Sequence, residues 1–196
     1  NIGLYSIYAA LKFKNIEVIS FEPSTSNLRV LSRNISINKL ENKIKINQFP
    51  LTNKENEYLI MKESDFVEGA ALNTFGESFN HEGKDYNAQN NYKVFGTSIN
   101  YLLKSNILQI PDYIKIDVDG LEHLILEGGN KFLGHKKVKS ISIEVNENFV
   151  DQCNAIHEHM KIFNFIFKSK KHNEDFIKSA EDSFHNTYNY LFEKQF

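Results

Sequence analysis

Three carboxylates fall within six residues in the run Lys115-Ile116-Asp117-Val118-Asp119-Gly120-Leu121-Glu122. The apolar residues before Asp117 read as a strand, and Leu121, Leu124 and Ile125 follow at helical spacing. Asp117 therefore falls at a strand end and Glu122 in the first turn of a helix. Carboxylates so placed serve three kinds of chemistry. One takes a proton from a reacting hydroxyl. Another holds a divalent cation, as an Asp-x-Asp pair does. The third only complements the positive end of a helix, a reading that suits Glu122 as well as any catalytic one. Lys115 alternates with the apolar residues of its strand and either pairs with a carboxylate or faces a helix. A carboxylate buried at the sheet rim without such a partner costs several kcal/mol, or about that.

Two further acids sit at similar places. Glu22 ends an apolar run, precedes Pro23 and lies 19 residues after Gly3. That spacing fits an acid accepting both hydroxyls of an adenosine ribose, and it equally fits a solvated turn. Glu144, between Ile143 and Val145, must point away from its apolar neighbours, either into a pocket beside the preceding strand or off an exposed edge. Asn1-Ile2-Gly3 opens a helix, where a glycine admits close backbone approach and a helix start favours an anionic group. His123 lies beside the acidic run, but the apolar spacing of its neighbours turns it away. His157 and His159 are two apart and share no helix face. No HExxH, Cys/His, Gly-x-Ser-x-Gly or Walker pattern occurs, so no metal site is expected.

Composition narrows the classes. The chain has 196 residues, enough for one domain with a real core, and 41% hydrophobic and 24% charged residues, which excludes wholesale disorder. A net charge of -2 removes the basic footprint of a dedicated nucleic-acid binder. No apolar run approaches the roughly 20 residues of a membrane span. Cys153 is the single cysteine, which excludes an internal disulfide and predicts a reducing, cytoplasmic setting.

The elements that position the acids follow from periodicity. Leu4, Ile7, Tyr8 and Leu11 mark a helix, Ile16 to Phe21 a strand, Leu28, Leu31 and Ile35 a second helix, and Ile44 to Phe49 a second strand. This is the rhythm of a parallel α/β sheet. Residues 52–96 break it, with strands at Tyr58 to Met61 and Tyr92 to Phe95 around a polar stretch, and predict an inserted hairpin or lid. The rhythm resumes with a helix capped at Thr97, the strand Tyr113 to Ile116, and a helix stopped by Gly128-Gly129. A strand from Val138 to Val145 and a helix carrying Phe149, Cys153, Ile156 and Met160 follow. Two aromatic strands, Ile162 to Phe167 and Thr187 to Phe192, close the chain as an antiparallel pair.

Four blocks, Asn1-Ile2-Gly3-Leu4-Tyr5-Ser6, Ser20-Phe21-Glu22-Pro23, the Lys115 to Glu122 run and Ile143-Glu144-Val145, resemble in order the FkbM-type methyltransferases. The resemblance covers most of the chain. It implies an α/β class I Rossmann-like fold, with a mostly parallel sheet, a C-terminal antiparallel hairpin and one methyltransferase domain over residues 1–196. It also implies S-adenosylmethionine as cofactor. Asn1 and Gly3 would belong to the loop under its methionine part, and Glu22 would hold the ribose hydroxyls. Asp117, Asp119 and Glu122 would line the catalytic centre, with Glu144 nearby. Asp119 stands where the family usually has Glu, keeping the charge but moving it by one carbon.

The implied reaction is O-methylation of a small-molecule or glycan hydroxyl, with Asp117 or Asp119 taking the proton. The aromatic residues Phe66, Phe75, Phe79, Tyr86 and Tyr92 would shape the acceptor pocket. Two other readings stay open: a metal-dependent glycosyltransferase using Asp117 and Asp119, and a non-catalytic cofactor-binding module. The family pattern also places a strand before Asn1, between the strands ending at Glu22 and Asp117. The chain is therefore expected to be an N-terminally truncated fragment, poorly stable and weak in cofactor binding.

Overall fold

The computed structural model describes residues 1–172 and 185–195. The first half begins with α1 (Leu4–Lys12), β1 (Val18–Phe21), α2 (Thr25–Ile37) and β2 (Ile44–Asn47). β1 and β2 pair in parallel, with Val18 opposite Ile44 and Phe21 opposite Asn47. Ala10, Leu31, Ile35, Leu40 and Ile44 close a small core over this pair. The backbone of α2 begins after Ser24, as the cap residues at 24–26 predict.

The apolar stripe of α1 departs from expectation. Leu4, Tyr8 and Leu11 are 68%, 60% and 61% exposed, and the helix is anchored instead by Ala10, with Ile7 packed beside it. Periodicity located the helix but not its buried side, because only the Ile7–Ala10 side meets the β1–β2 cluster.

Residues 57–96 form a sheet of their own. β3 (Glu57–Glu63), β4 (Thr74–Phe75) and β5 (Asn90–Gly96) pair antiparallel in the order β4-β3-β5. The chain leaves and returns at one place: Thr97 N donates to Pro50 O at 3.3 Å and Thr52 N to Thr97 O at 3.0 Å. Met61 and Phe75, opposite one another on this sheet, pack on Leu121 at the start of the second half.

The second half holds α3 (Ile99–Lys104), β6 (Tyr113–Ile116), α4 (Glu122–Glu127), β7 (Ser140–Asn146), α5 (Val150–Ile162), β8 (Phe165–Lys171) and β9 (Thr187–Lys194). α3 is capped by the Ser98 hydroxyl, which accepts from Tyr101 N at 3.1 Å. The sheet runs β6-β7-β9-β8. Ile141, Ile143 and Val145 alternate inward along β7 and are fully buried with Ile116, Leu126, Ile156 and Phe192. Each such side chain contributes roughly 1.5–3 kcal/mol by leaving water.

A mostly parallel sheet does not form. Among the strands of the described residues, β1–β2 and β6–β7 pair in parallel, whereas β3–β4, β3–β5, β7–β9 and β8–β9 are antiparallel. The sheet structure is mixed because the inserted strands and the C-terminal hairpin outnumber the strands joined by helices. The hairpin itself forms, with Phe167 opposite Phe192, but its first strand runs Phe165–Lys171 and not from Ile162, which ends α5. Among the described residues β1 and β6 are not paired with each other, and each pairs with a strand along one edge. Among the described residues no helix is long and apolar enough to cross a membrane.

Candidate active site

The Lys115 to Glu122 run turns from β6 into α4 through an unusual backbone. Asp119 has φ 58° and Gly120 φ 114°, both in the left-handed region. A Cβ on Gly120 would lie 2.9 Å from His81 Cα, so the glycine is needed both for the turn and for the approach of the insertion. The turn closes on Glu122. Its carboxylate accepts from Val118 N at 2.9 Å, Gly120 N at 3.1 Å and Gln152 Nε2 at 2.7 Å. Glu122 is 1% exposed, and burial raises its carboxyl to about 7 against the pull of the Val118 hydrogen bond.

Asp119 is held by the insertion, its Oδ2 accepting from Leu72 N at 2.7 Å. Burial raises it to about 6; the Leu72 bond opposes this, and the charges of Asp117 and Glu22 add to it. Asp117, one position past β6, pairs with Lys115 at 2.8 Å. Lys115 also donates to Asn189 and lies 5.1 Å over the Tyr5 ring, which settles both sequence readings of this lysine at once. Glu144 points off the apolar face of β7, as its alternation requires. With Asp119, Glu122, His81, Asn146 and Gln152 it lines a chamber of about 10 Å³, room for a single water. Burial, then the charges of Asp117, Glu122 and Asp119, push its carboxyl well above the ordinary range.

Glu22, at the end of β1, is 6% exposed. Its Oε1 accepts from Ser24 N at 2.9 Å, and its Oε2 pairs with the Asn1 amino group. Asn1 Nδ2 reaches back to Gly69 O and Ala70 O at 3.3 and 3.2 Å. Gly3, φ 90°, starts α1, and a Cβ there would lie 2.3 Å from Leu31 Cδ1; the close approach is to α2. Asn27 on α2 binds the same strap, accepting from Gly69 N at 2.8 Å and donating to Ala70 O at 2.9 Å. Residues 69–72 thus run from α2 to Asp119, across the ends of β1 and β6. The structure gathers Asn1, Glu22, Asp117, Asp119 and Glu122 on one rim, with Gly3 at the foot of α1.

His81, Asn146 and Gln152 join this rim without a sequence signal. Asn146 Nδ2 donates to His81 O at 3.1 Å, which pins the insertion over the chamber. His123 turns away, stacked on Phe79 and edge-on to Phe149. Of the inserted aromatics, Phe75 enters the core and Phe79 packs on His123 and Phe149, while Phe66 and Tyr92 border an open cleft.

The fold is that of the class I methyltransferases. The protein titled methyltransferase FkbM from Methylobacillus flagellatus KT superposes with a TM-score of 0.60 at 16% identity, over 98% of this chain and 40% of that one. Precorrin-6y C5,15-methyltransferase from Geobacter metallireducens GS-15 gives 0.51 at 12% identity, over 99% and 76%. The chain belongs to the methyltransferase FkbM domain family, which it matches over residues 1–190. It spans about two fifths of the length of the Methylobacillus protein. No curated protein sequence matches it.

Proposed function

We propose that this domain transfers a methyl group from S-adenosylmethionine to a hydroxyl oxygen of a saccharide or glycan. The observation that carries the reading is the meeting of Glu22 with Asp117 and Asp119 at one rim, close enough for the Glu22 charge to act on Asp119. The residues suit the cofactor. Glu22 is nearly buried, with one carboxylate oxygen bonded in its own turn and the other at the Asn1 end of the rim, where a ribose hydroxyl would donate in place of the Asn1 amino group. Asn1 and Gly3 form the turn beside it.

The cofactor supplies an electrophilic methyl on a sulfonium, which leaves as a neutral thioether. The acceptor hydroxyl gains the carbon and must release its proton. Asp119 receives that proton, because a carboxyl raised to about 6 is poised near neutral pH for general-base work. Its contribution is on the order of 10²–10⁴-fold, and alignment of the two reactants supplies the larger share. Asp117, paired with Lys115, places a second carboxylate beside Asp119, and its charge helps hold up the affinity of Asp119 for the proton. Glu122 fixes the turn that aims Asp119 and Gly120.

Cation binding by the Asp-x-Asp pair finds less support, since Asp117 is paired with Lys115 and Asp119 accepts from Leu72 N. Among the described residues no group of three His, Cys, Asp or Glu side chains could hold a metal ion. In the full-length protein, Asp119→Asn is expected to lower methyl transfer to a glycan extract at least a hundredfold. Affinity for S-adenosylhomocysteine should stay within about threefold. Full turnover in the variant would overturn the assignment, and absence of transfer by the wild type would favour the non-catalytic module.

A further inference from the structure

The strap Gly69-Ala70-Ala71-Leu72 ends in a leucine whose backbone is left-handed, with φ 64°. That conformation is costly for an L side chain and persists where flanking contacts hold it, most often at functional sites. Here contacts stand at both ends. Asn27, in the first turn of α2, takes the strap backbone in both senses. Its Oδ1 accepts from Gly69 N at 2.8 Å, and its Nδ2 donates to Ala70 O at 2.9 Å. An asparagine suits this place because its amide carries an acceptor and a donor side by side. At the other end Leu72 N donates to Asp119 Oδ2 at 2.7 Å. A second contact ties this stretch to α2, the Arg29–Glu68 ion pair, but both partners are exposed and such pairs hold little. Asn27 is buried. It is the anchor that sets where the Leu72 N–H points.

A carboxylate tied through one oxygen is hindered from turning about its own bond, so its other oxygen keeps a fixed direction. A general base must lie within hydrogen-bond reach of the proton it takes, and a small misplacement costs rate. The Leu72 hydrogen bond occupies Oδ2 and so assigns the proton to Oδ1. The charged and titratable groups around Asp119 are Asp117 past the end of β6, Glu22 with the Asn1 amino group at the end of β1, Glu122 on α4, Glu144 on β7 and Tyr86 of the insertion.

We propose that Asn27 is a positioning residue for methyl transfer: through residues 69–72 it ties Oδ2 of Asp119 to the Leu72 amide and so directs Oδ1 at the acceptor hydroxyl. Oδ1 takes the proton as the hydroxyl oxygen forms its bond to the methyl carbon, whose bond to sulfur breaks with the electron pair going to sulfur. The inference rests on the reading of Asp119 as the base for its catalytic meaning, but the tie from Asn27 to Asp119 is measured without turnover.

The test is the amide spectrum of the full-length protein, recorded by ¹H–¹⁵N NMR from acid to mildly alkaline pH. In the wild type the Leu72 amide proton is expected to move as Asp119 titrates, with a midpoint of about 6, and not to move in Asp119→Asn. Asn27→Ala should cut the size of that movement at least twofold and speed hydrogen exchange at Leu72 on the order of tenfold. Asn27→Asp keeps the acceptor for Gly69 N and the size of the side chain but loses the donor to Ala70 O, so it should give a loss in the same direction without unfolding. Arg29→Ala removes only the exposed pair and should leave the Leu72 movement unchanged. With a glycan extract as acceptor, Asn27→Ala should lower methyl transfer on the order of tenfold. A Leu72 amide that titrates in both Asn27 variants as in the wild type overturns the proposal. So does an equal loss in Arg29→Ala, or full transfer by Asn27→Ala once the Leu72 movement is lost. Failure of the wild type to transfer would overturn the reading of Asp119 as a base and not its tie to Asn27, which the amide titration decides.

Discussion

Glu122 and Glu63 are each 1% exposed, and they are opposites. Glu122 sits where the main sheet turns into α4 and accepts from two backbone N–H groups and Gln152. Glu63 sits where the inserted sheet ends, accepts from no backbone N–H, and has the Tyr92 phenol as its neighbour. Burial alone therefore says nothing about a carboxylate's role; the donors around it do. A buried acid bonded to backbone donors fixes a turn, while one that faces only a phenol recovers less of the cost of its burial.

Substitution at the two positions should move stability in opposite directions. Glu122→Ala strands three donors at once and is expected to cost about 3–5 kcal/mol in urea unfolding, accompanied by loss of order in the 117–122 turn. A cost under about 1 kcal/mol would erase the distinction. Glu63→Met places an apolar side chain of similar size in the same site and is expected to gain about 1–3 kcal/mol, or a few degrees in Tm.

A smaller effect comes from pH. Asp119 and Glu122 are raised to about 6 and about 7, so the folded state holds their protons more tightly than the unfolded chain. Their contribution to stability is full below about pH 4 and is lost as pH rises through 6 and 7. Unfolding free energy should thus fall from pH 5 to pH 8, and fall less in Asp119→Asn. An equal fall in that variant would remove Asp119 from the set.

Much of this frame is legible in the sequence. Tyr113 to Ile116 is bounded by Pro111 and an acidic turn, and the strand forms over those residues. Glu144 stands out because it breaks an apolar alternation, and it does line the chamber. The burial of Glu63 is not legible. The strand predicted over Tyr58 to Met61 stops short of it, and only the extension of β3 through Glu63 carries that residue onto the buried face of Met61. Gln152 and His81 are hidden for the same reason: each meets the acidic run across a gap of thirty or more positions. The side of α1 that is buried also depends on its neighbours and not on its own spacing. β4 leaves no trace in the sequence, because its two residues are too few to show any period.

The rim as a cofactor site is tested most directly by titrating S-adenosylhomocysteine into the full-length wild-type protein and Glu22→Gln by calorimetry. The account predicts one site in the wild type and at least tenfold weaker binding in the variant, through loss of an acceptor for the ribose hydroxyls. Equal affinity in the two proteins, or no binding to the wild type, would contradict it.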